Sequence, residues 1–222
     1  MKWFYTMHAV LMKDIQLELR SKYALNTVLA FVAGSLLVML FSLRAEELPD
    51  TARSGLIWII ILFASLSVLG RSFIAETERG TFDLLRLHGE PSAVYTGKLI
   101  FNFLFTLLVT FLSMLAYLFM LNITVHHPWL LLFILIFGTL GLSGVSTMLG
   151  AVVSQASQKS TIYSVLSLPL LVPLILLLVR TTESAFSDTL SEGLTDDMMA
   201  MIGFAGVVVS MSIILFDFIW EE

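Results

Sequence analysis

The sequence predicts an all-α integral membrane protein. It has six transmembrane helices, an N-terminal amphipathic helix in the membrane interface, and a short polar helix between the second and third spans. Three observations predict this. Of the 222 residues, 58% are hydrophobic and 13% charged, and the mean hydropathy is +0.93, far above that of a soluble domain. Six apolar stretches approach the roughly 20 residues that a helix needs to cross a hydrocarbon core about 30 Å thick. Polar residues within them do not alternate at every second position, as the strands of a membrane barrel would require.

The first element covers residues 3 to 23. Trp3, Met7, Leu11, Ile15 and Leu19 recur at every fourth position, while Lys13, Gln16 and Arg20 fall on another side. That pattern predicts a helix lying in the interface, with Trp3, Phe4 and Tyr5 at headgroup level. His8, Lys13 and Asp14 break its apolar part and no small-residue cleavage site follows, so it is expected to remain on the mature protein rather than act as a signal peptide. The spans follow at approximately 24 to 43, 55 to 74, 99 to 121, 129 to 153, 161 to 179 and 198 to 220. No linker, soluble domain or low-complexity tract interrupts them, and one domain over 1 to 222 is expected.

Orientation follows from the basic residues. With the N-terminus in the cytoplasm, that side carries Lys2, Lys13, Arg20, Lys22, Arg71, Arg79, Arg86, Lys98 and Lys159, and the other side only Arg44, Arg53 and Arg180. Nine against three predicts that both termini are cytoplasmic. The acidic segments 44 to 53 and 181 to 197 then face outward, and residues 76 to 91, ETERGTFDLLRLHGEP, form a cytoplasmic loop.

In that loop Thr81 is expected to cap a helix of about two turns, with Asp83 in its first turn and Gly89 and Pro91 ending it. Arg79, Asp83, Arg86 and Glu90 form a polar stripe, and Phe82, Leu85 and Gly89 lie on another face. Such a helix would turn its apolar side to the membrane and its charges to the cytoplasm.

Within the spans, Gly138, Gly141, Gly144 and Gly150 belong to a run of small residues that predicts close helix packing. Pro169 and Pro173, four apart, each remove a backbone hydrogen bond and predict a kink or break. Packing within the chain is the expected use of the glycines, contact with a second copy the alternative. Adjacent His126 and His127, in an outward turn before Pro128, are candidate haem or metal contacts, although such a turn is also an ordinary place for interfacial histidines.

Several function classes are excluded or weakened. The basic residues are scattered, so nucleic acid is not expected as a partner. There is no cysteine, hence no disulfide or thiolate site. No HExxH and no paired intramembrane aspartate occurs, and ionisable groups are nearly confined to span ends, where Arg71 and Asp217 can reach the interface. A membrane-embedded enzyme therefore has little support. The P-loop is also missing: around Gly97-Lys98, position 92 is Ser92 and position 99 is Leu99, so the phosphate cradle is incomplete. Any ATP must be hydrolysed by another polypeptide.

The combination of interfacial helix, six spans and ERGTFDLLRL after span two resembles ABC-2-type permeases. More closely, QLELR (16 to 20), SGLIWIIILFASLSVLGRSF (54 to 73), ETERGTFDLLRL (76 to 87), YTGKL (95 to 99) and LSLPLLVPLILLLV (166 to 179) resemble CcmB, the haem exporter permease family of cytochrome c maturation. LHGEP after the loop and the acidic end FDFIWEE depart from the usual pattern. The resemblance implies a non-catalytic subunit of a bacterial inner-membrane ABC transporter for haem delivery. A coupling helix containing Glu76, Glu78, Arg79, Gly80, Thr81, Phe82, Asp83, Leu85 and Arg86 would dock on a cytoplasmic CcmA-like ATPase. CcmC-like and CcmD-like membrane proteins, and a second copy of the permease, are the further implied partners. No tightly bound cofactor is implied; haem is a candidate substrate and ATP acts through the partner. An ABC-2-type exporter of a lipid, polysaccharide or drug is the alternative with the same architecture.

Overall fold

The computed structural model describes residues 2–42, 48–69, 71–154 and 159–221. Among them are nine helices and no strand: α1 (Lys2–Ser21), α2 (Tyr23–Ser42), α3 (Asp50–Leu69), α4 (Arg71–Glu78), α5 (Phe82–His88), α6 (Pro91–Met120), α7 (Pro128–Val153), α8 (Lys159–Phe186) and α9 (Leu194–Glu221). Six candidate spans are long and apolar enough to cross a membrane, beginning in α2, α3, α6, α7, α8 and α9. The chain is a multi-pass membrane protein.

Several helices outrun the apolar windows. Helix α6 begins at Pro91, eight residues before its predicted span, and α8 continues to Phe186. The acidic segment expected as a loop from 181 therefore starts as helix, and the connection between α8 and α9 is short. Hydropathy detects only the part of a helix that lipid surrounds, whereas backbone hydrogen bonding carries the helix onward. At 30 residues, α6 is about 45 Å long, well beyond the hydrocarbon thickness. Helix α8 is assigned as one continuous helix through the exposed Pro169 and Pro173.

Helix α7 is the hub, touching α3, α4, α6, α8 and α9. It is the most enclosed of the six spans; α2 and α9 are the least. Lipid is as apolar as leucine, so burying leucine does not by itself draw such helices together, and close backbone approach must contribute. The glycines of α7 supply that approach. A Cβ on Gly138 would collide with Leu178, one on Gly141 would lie 2.7 Å from Leu174 Cδ2, and one on Gly144 would lie 2.9 Å from Val208 Cγ1. The seam thus receives α8 and α9 of the same chain. Gly150 is also buried in α7. Polar pairs join the spans: Asn102 Nδ2 donates to Thr147 Oγ1 at 2.8 Å, and Trp58 Nε1 to Thr182 Oγ1 at 2.8 Å.

Helix α1 packs on α6 and α2. Its contacts to α6 run through Trp3, Met7, Val10 and Asp14; of the fourfold repeat, Leu11 and Ile15 are half-buried and Leu19 is 66% exposed. Steps of four drift by about 40° per repeat on a helix of 3.6 residues per turn, so a straight contact alternates three and four. Gly97 lets the two helices meet, since a Cβ there would lie 2.8 Å from the Met7 carbonyl oxygen. Trp3 Nε1 donates to Ser92 Oγ at 3.0 Å.

Gly138→Leu and Gly141→Leu are expected to destabilise the purified protein by about 1–3 kcal/mol each. Gly206→Leu, where no atom lies within 4 Å, is expected to be close to neutral. Thermal unfolding of the three variants in one detergent measures the contrast.

Candidate functional site: a charged and aromatic junction

The loop at 76 to 91 is folded into the end of the bundle by two sets of contacts. Helix α4 stops in a Schellman turn: the Thr81 N–H donates to the Glu76 carbonyl at 3.0 Å and the Gly80 N–H to the Thr77 carbonyl at 3.2 Å. Gly80 takes φ +67, a left-handed conformation costly for residues with a Cβ. Its place in ERGT thus has a backbone reason. Glu78, Arg79 and Gly80 are exposed. Thr81 stands at the start of α5 but makes no side-chain cap. Its hydroxyl instead donates to the Glu76 carboxylate, because the turn folds it back over α4.

Glu76 belongs to the first set. Lys98 of α6 is 1% exposed and its Nζ lies 3.1 Å from Asp14 Oδ2 of α1 and 3.3 Å from Glu76 Oε1 of α4. It also donates to the Ser72 carbonyl at 3.0 Å and stands 5.2 Å from the centre of the Phe73 ring. Lys13 of α1 completes the group, bonded to Glu76 and 3.5 Å from Asp14 Oδ1. Two ammonium groups and two carboxylates therefore join three helices with balanced charge.

The second set is aromatic. Phe216 of α9 packs against Phe73 of α4 at 5.2 Å and Tyr95 of α6 at 5.0 Å between ring centres. Trp220 continues this line, 5.5 Å from Phe216 and edge-on to Phe82 of α5 at 5.6 Å. Phe82 is 5% exposed. Arg86, assigned by spacing to the solvent-facing stripe, instead lies 5.1 Å over the Phe82 ring and donates to the Ile219 carbonyl at 3.2 Å. The α9 end carries unpaired carbonyls that attract a cation, and a periodicity argument confined to the loop does not see them. Leu85 is half-buried and its carbonyl accepts the Gly89 N–H at 2.8 Å; Leu87 is 75% exposed. Gly89 and Pro91 end α5 and begin α6 as expected. The side chains of Asp83 and Leu84 lie outside the described residues.

At the opposite end, His126 Nδ1 lies 2.5 Å from Asp188 Oδ1 and its Nε2 3.3 Å from Thr124 Oγ1. Both ring nitrogens are engaged. The backbone N–H groups of His126 and His127 converge on the Ala185 carbonyl at 3.1 and 3.2 Å. These contacts tie the α6–α7 turn to α8. Among the described residues no group of three His, Cys, Asp or Glu side chains is arranged to hold a metal.

Sequence reasoning found Glu76 and Phe82 but missed their partners Asp14, Lys98, Tyr95, Phe216 and Trp220. A signal existed. Asp14 continues the stripe 3-7-10-14, and Lys98 lies in the run Tyr95, Lys98, Asn102, Phe105, each a lone charge on a buried face.

Residues 5–218, which include the charged group and most of the aromatic one, match the sequence model of the family described as CcmB protein. The chain belongs to the CcmB protein family. It is similar to the heme exporter protein B of Rhodobacter capsulatus, 27% identical over 209 residues, an alignment covering 90% of this chain and 95% of that relative. Ile219 and Trp220, which hold α5, lie beyond the family match.

Lys98→Met leaves two buried carboxylates with only Lys13 and is expected to cost about 3–5 kcal/mol. Adding Asp14→Asn should restore part of it, because less unpaired charge remains buried. A double-mutant cycle by thermal unfolding measures this; additive costs would refute a shared network.

Proposed function

We propose that this chain is the non-catalytic permease subunit of a bacterial inner-membrane ABC transporter, serving haem delivery in c-type cytochrome biogenesis. The observation that carries the proposal is the match to the CcmB protein family over residues 5–218. The name of the Rhodobacter capsulatus relative, heme exporter protein B, supports haem as the cargo. The nine-against-three distribution of basic residues supports a cytoplasmic position for the α4–α5 end and both termini. The packed face of α1 then lies against α6, with the helix in the interface.

In this reading α5 is the coupling helix. Phe82 and Arg86 hold its inner side to α9, and its outer surface offers Leu87, with Glu78, Arg79 and Gly80 on the preceding turn and Glu90 at the start of α6, to a CcmA-like ATPase. ATP binding by that partner displaces α5. The displacement has two outlets: through Thr81 and Glu76 to α1 and α6, and through Phe82 and Trp220 to α9. Mechanical coupling to CcmC-like and CcmD-like partners that handle haem follows more directly from this layout than passage of haem through the spans.

The test uses a strain that makes c-type cytochromes and lacks this chain. Wild type is expected to restore them, and Leu87→Asp combined with Glu90→Arg, which alters only exposed positions, to lower ATPase co-purification about tenfold at equal membrane insertion. Unchanged ATPase capture would refute docking through α5. Normal cytochrome content in the deletion strain would refute the haem assignment and favour another exported substrate.

A further inference from the structure

A cavity of about 310 Å³ lies beside the charged junction, bounded by α1, α2, α3, α4 and α6. Its lining changes character along the bundle. Toward the loop end are Asp14, Glu18, Glu76 and Arg79; deeper, along α3 and α6, are Val68, Leu69, Phe101 and Phe105. Phe105 is seven residues beyond Lys98, about 10 Å further along the helix. Leu17 and Tyr23, 43% and 58% exposed, also line the cavity. They mark an opening, where Tyr23 has the apolar body and polar tip that suit a lipid–water interface.

The charges at the polar end define what fits. Asp14 and Glu76 share Lys98 and Lys13, and the Glu18 carboxylate accepts the Leu25 N–H of α2 at 2.9 Å. Each carboxylate has acceptor positions beyond these bonds. An arginine within the same lining suits a phosphate, which its planar fork binds well. We propose that the cavity is a phospholipid site selective for an ethanolamine headgroup. The ammonium donates to Glu18 and Asp14, the phosphate meets Arg79, and the start of an acyl chain lies along Val68, Leu69, Phe101 and Phe105. A choline headgroup has no N–H to donate, and a glycerol headgroup brings no cation. The propionates of haem would bring two further anions beside Glu18 and the balanced group of Asp14, Glu76, Lys13 and Lys98, with only Arg79 of the lining to receive them, so this cavity does not suit the proposed cargo. The proposal requires only that the chain sits in a bilayer, and does not rest on what the transporter carries.

Native mass spectrometry of the purified full-length chain, equilibrated with phosphatidylethanolamine, phosphatidylcholine or phosphatidylglycerol, tests it. Phosphatidylethanolamine is expected to be retained about tenfold better than either other lipid, as for one lost charge-assisted contact. Glu18→Gln and Arg79→Ala are expected to reduce that preference, and Ala24→Trp, which fills the cavity without touching its charges, to abolish retention. Soluble glycerophosphoethanolamine should compete weakly. Equal retention of the three lipids by wild type overturns the proposal even if a variant fails to fold. Retention unchanged in all three folded variants, displacement of the lipid by haem, or soluble headgroup binding as tight as the lipid overturns it as well.

Discussion

The buried ammonium of Lys98 is the constraint on which the α4–α5 end of this molecule depends. Removing such a charge from water costs several kcal/mol unless partners replace the water, and α6 alone provides none among the contacts described. Asp14 arrives from α1, 84 residues away in sequence, and Glu76 from α4. If α4 departs, two ammonium groups are left with one carboxylate; if α1 departs, Lys98 loses one of its two carboxylate partners in a low dielectric. Helix α1, the polar turn after the second span and the third span are thus tied together by one group of charges.

The aromatic contacts differ in physics and consequence. Ring packing among Phe73, Tyr95, Phe216, Trp220 and Phe82 is less directional than the ion group and tolerates sliding, with about 0.5–1.5 kcal/mol per pair beyond area burial. It connects α5 to α9 while the charged group connects α4 and α5 to α1 and α6. A short helix held rigidly on one side and more compliantly on the other can pass displacement to two parts of a bundle by different amounts. The acidic, aromatic end FDFIWEE, an oddity when read alone, supplies Phe216, Ile219 and Trp220 to this contact. Farther along, α7 fixes how the spans pack, because glycine positions admit Leu174, Leu178 and Val208 where any Cβ would exclude them.

The sequence by itself determined the membrane class, the six spans, the short helix with its Gly89 and Pro91 stop, and the close-packing character of Gly138, Gly141 and Gly144. Each follows from a local quantity: hydropathy over a window, turn chemistry, or side-chain size. It also marked residues 76 to 91 as a place where charge needed a reason.

Tertiary structure alone decided what those charges face. Arg86 reads as solvent-facing from helical spacing, yet α9 brings it a carbonyl and a ring. Thr81 reads as a cap, yet the left-handed Gly80 folds its hydroxyl onto Glu76. Lys98 counts as one more cytoplasmic cation, yet it is the buried centre of a junction. Periodicity specifies which residues share a face of one helix. It carries no information about which distant segment covers that face, because the pairing is set by the energy of burying charge and by the shapes of helices far apart in the chain.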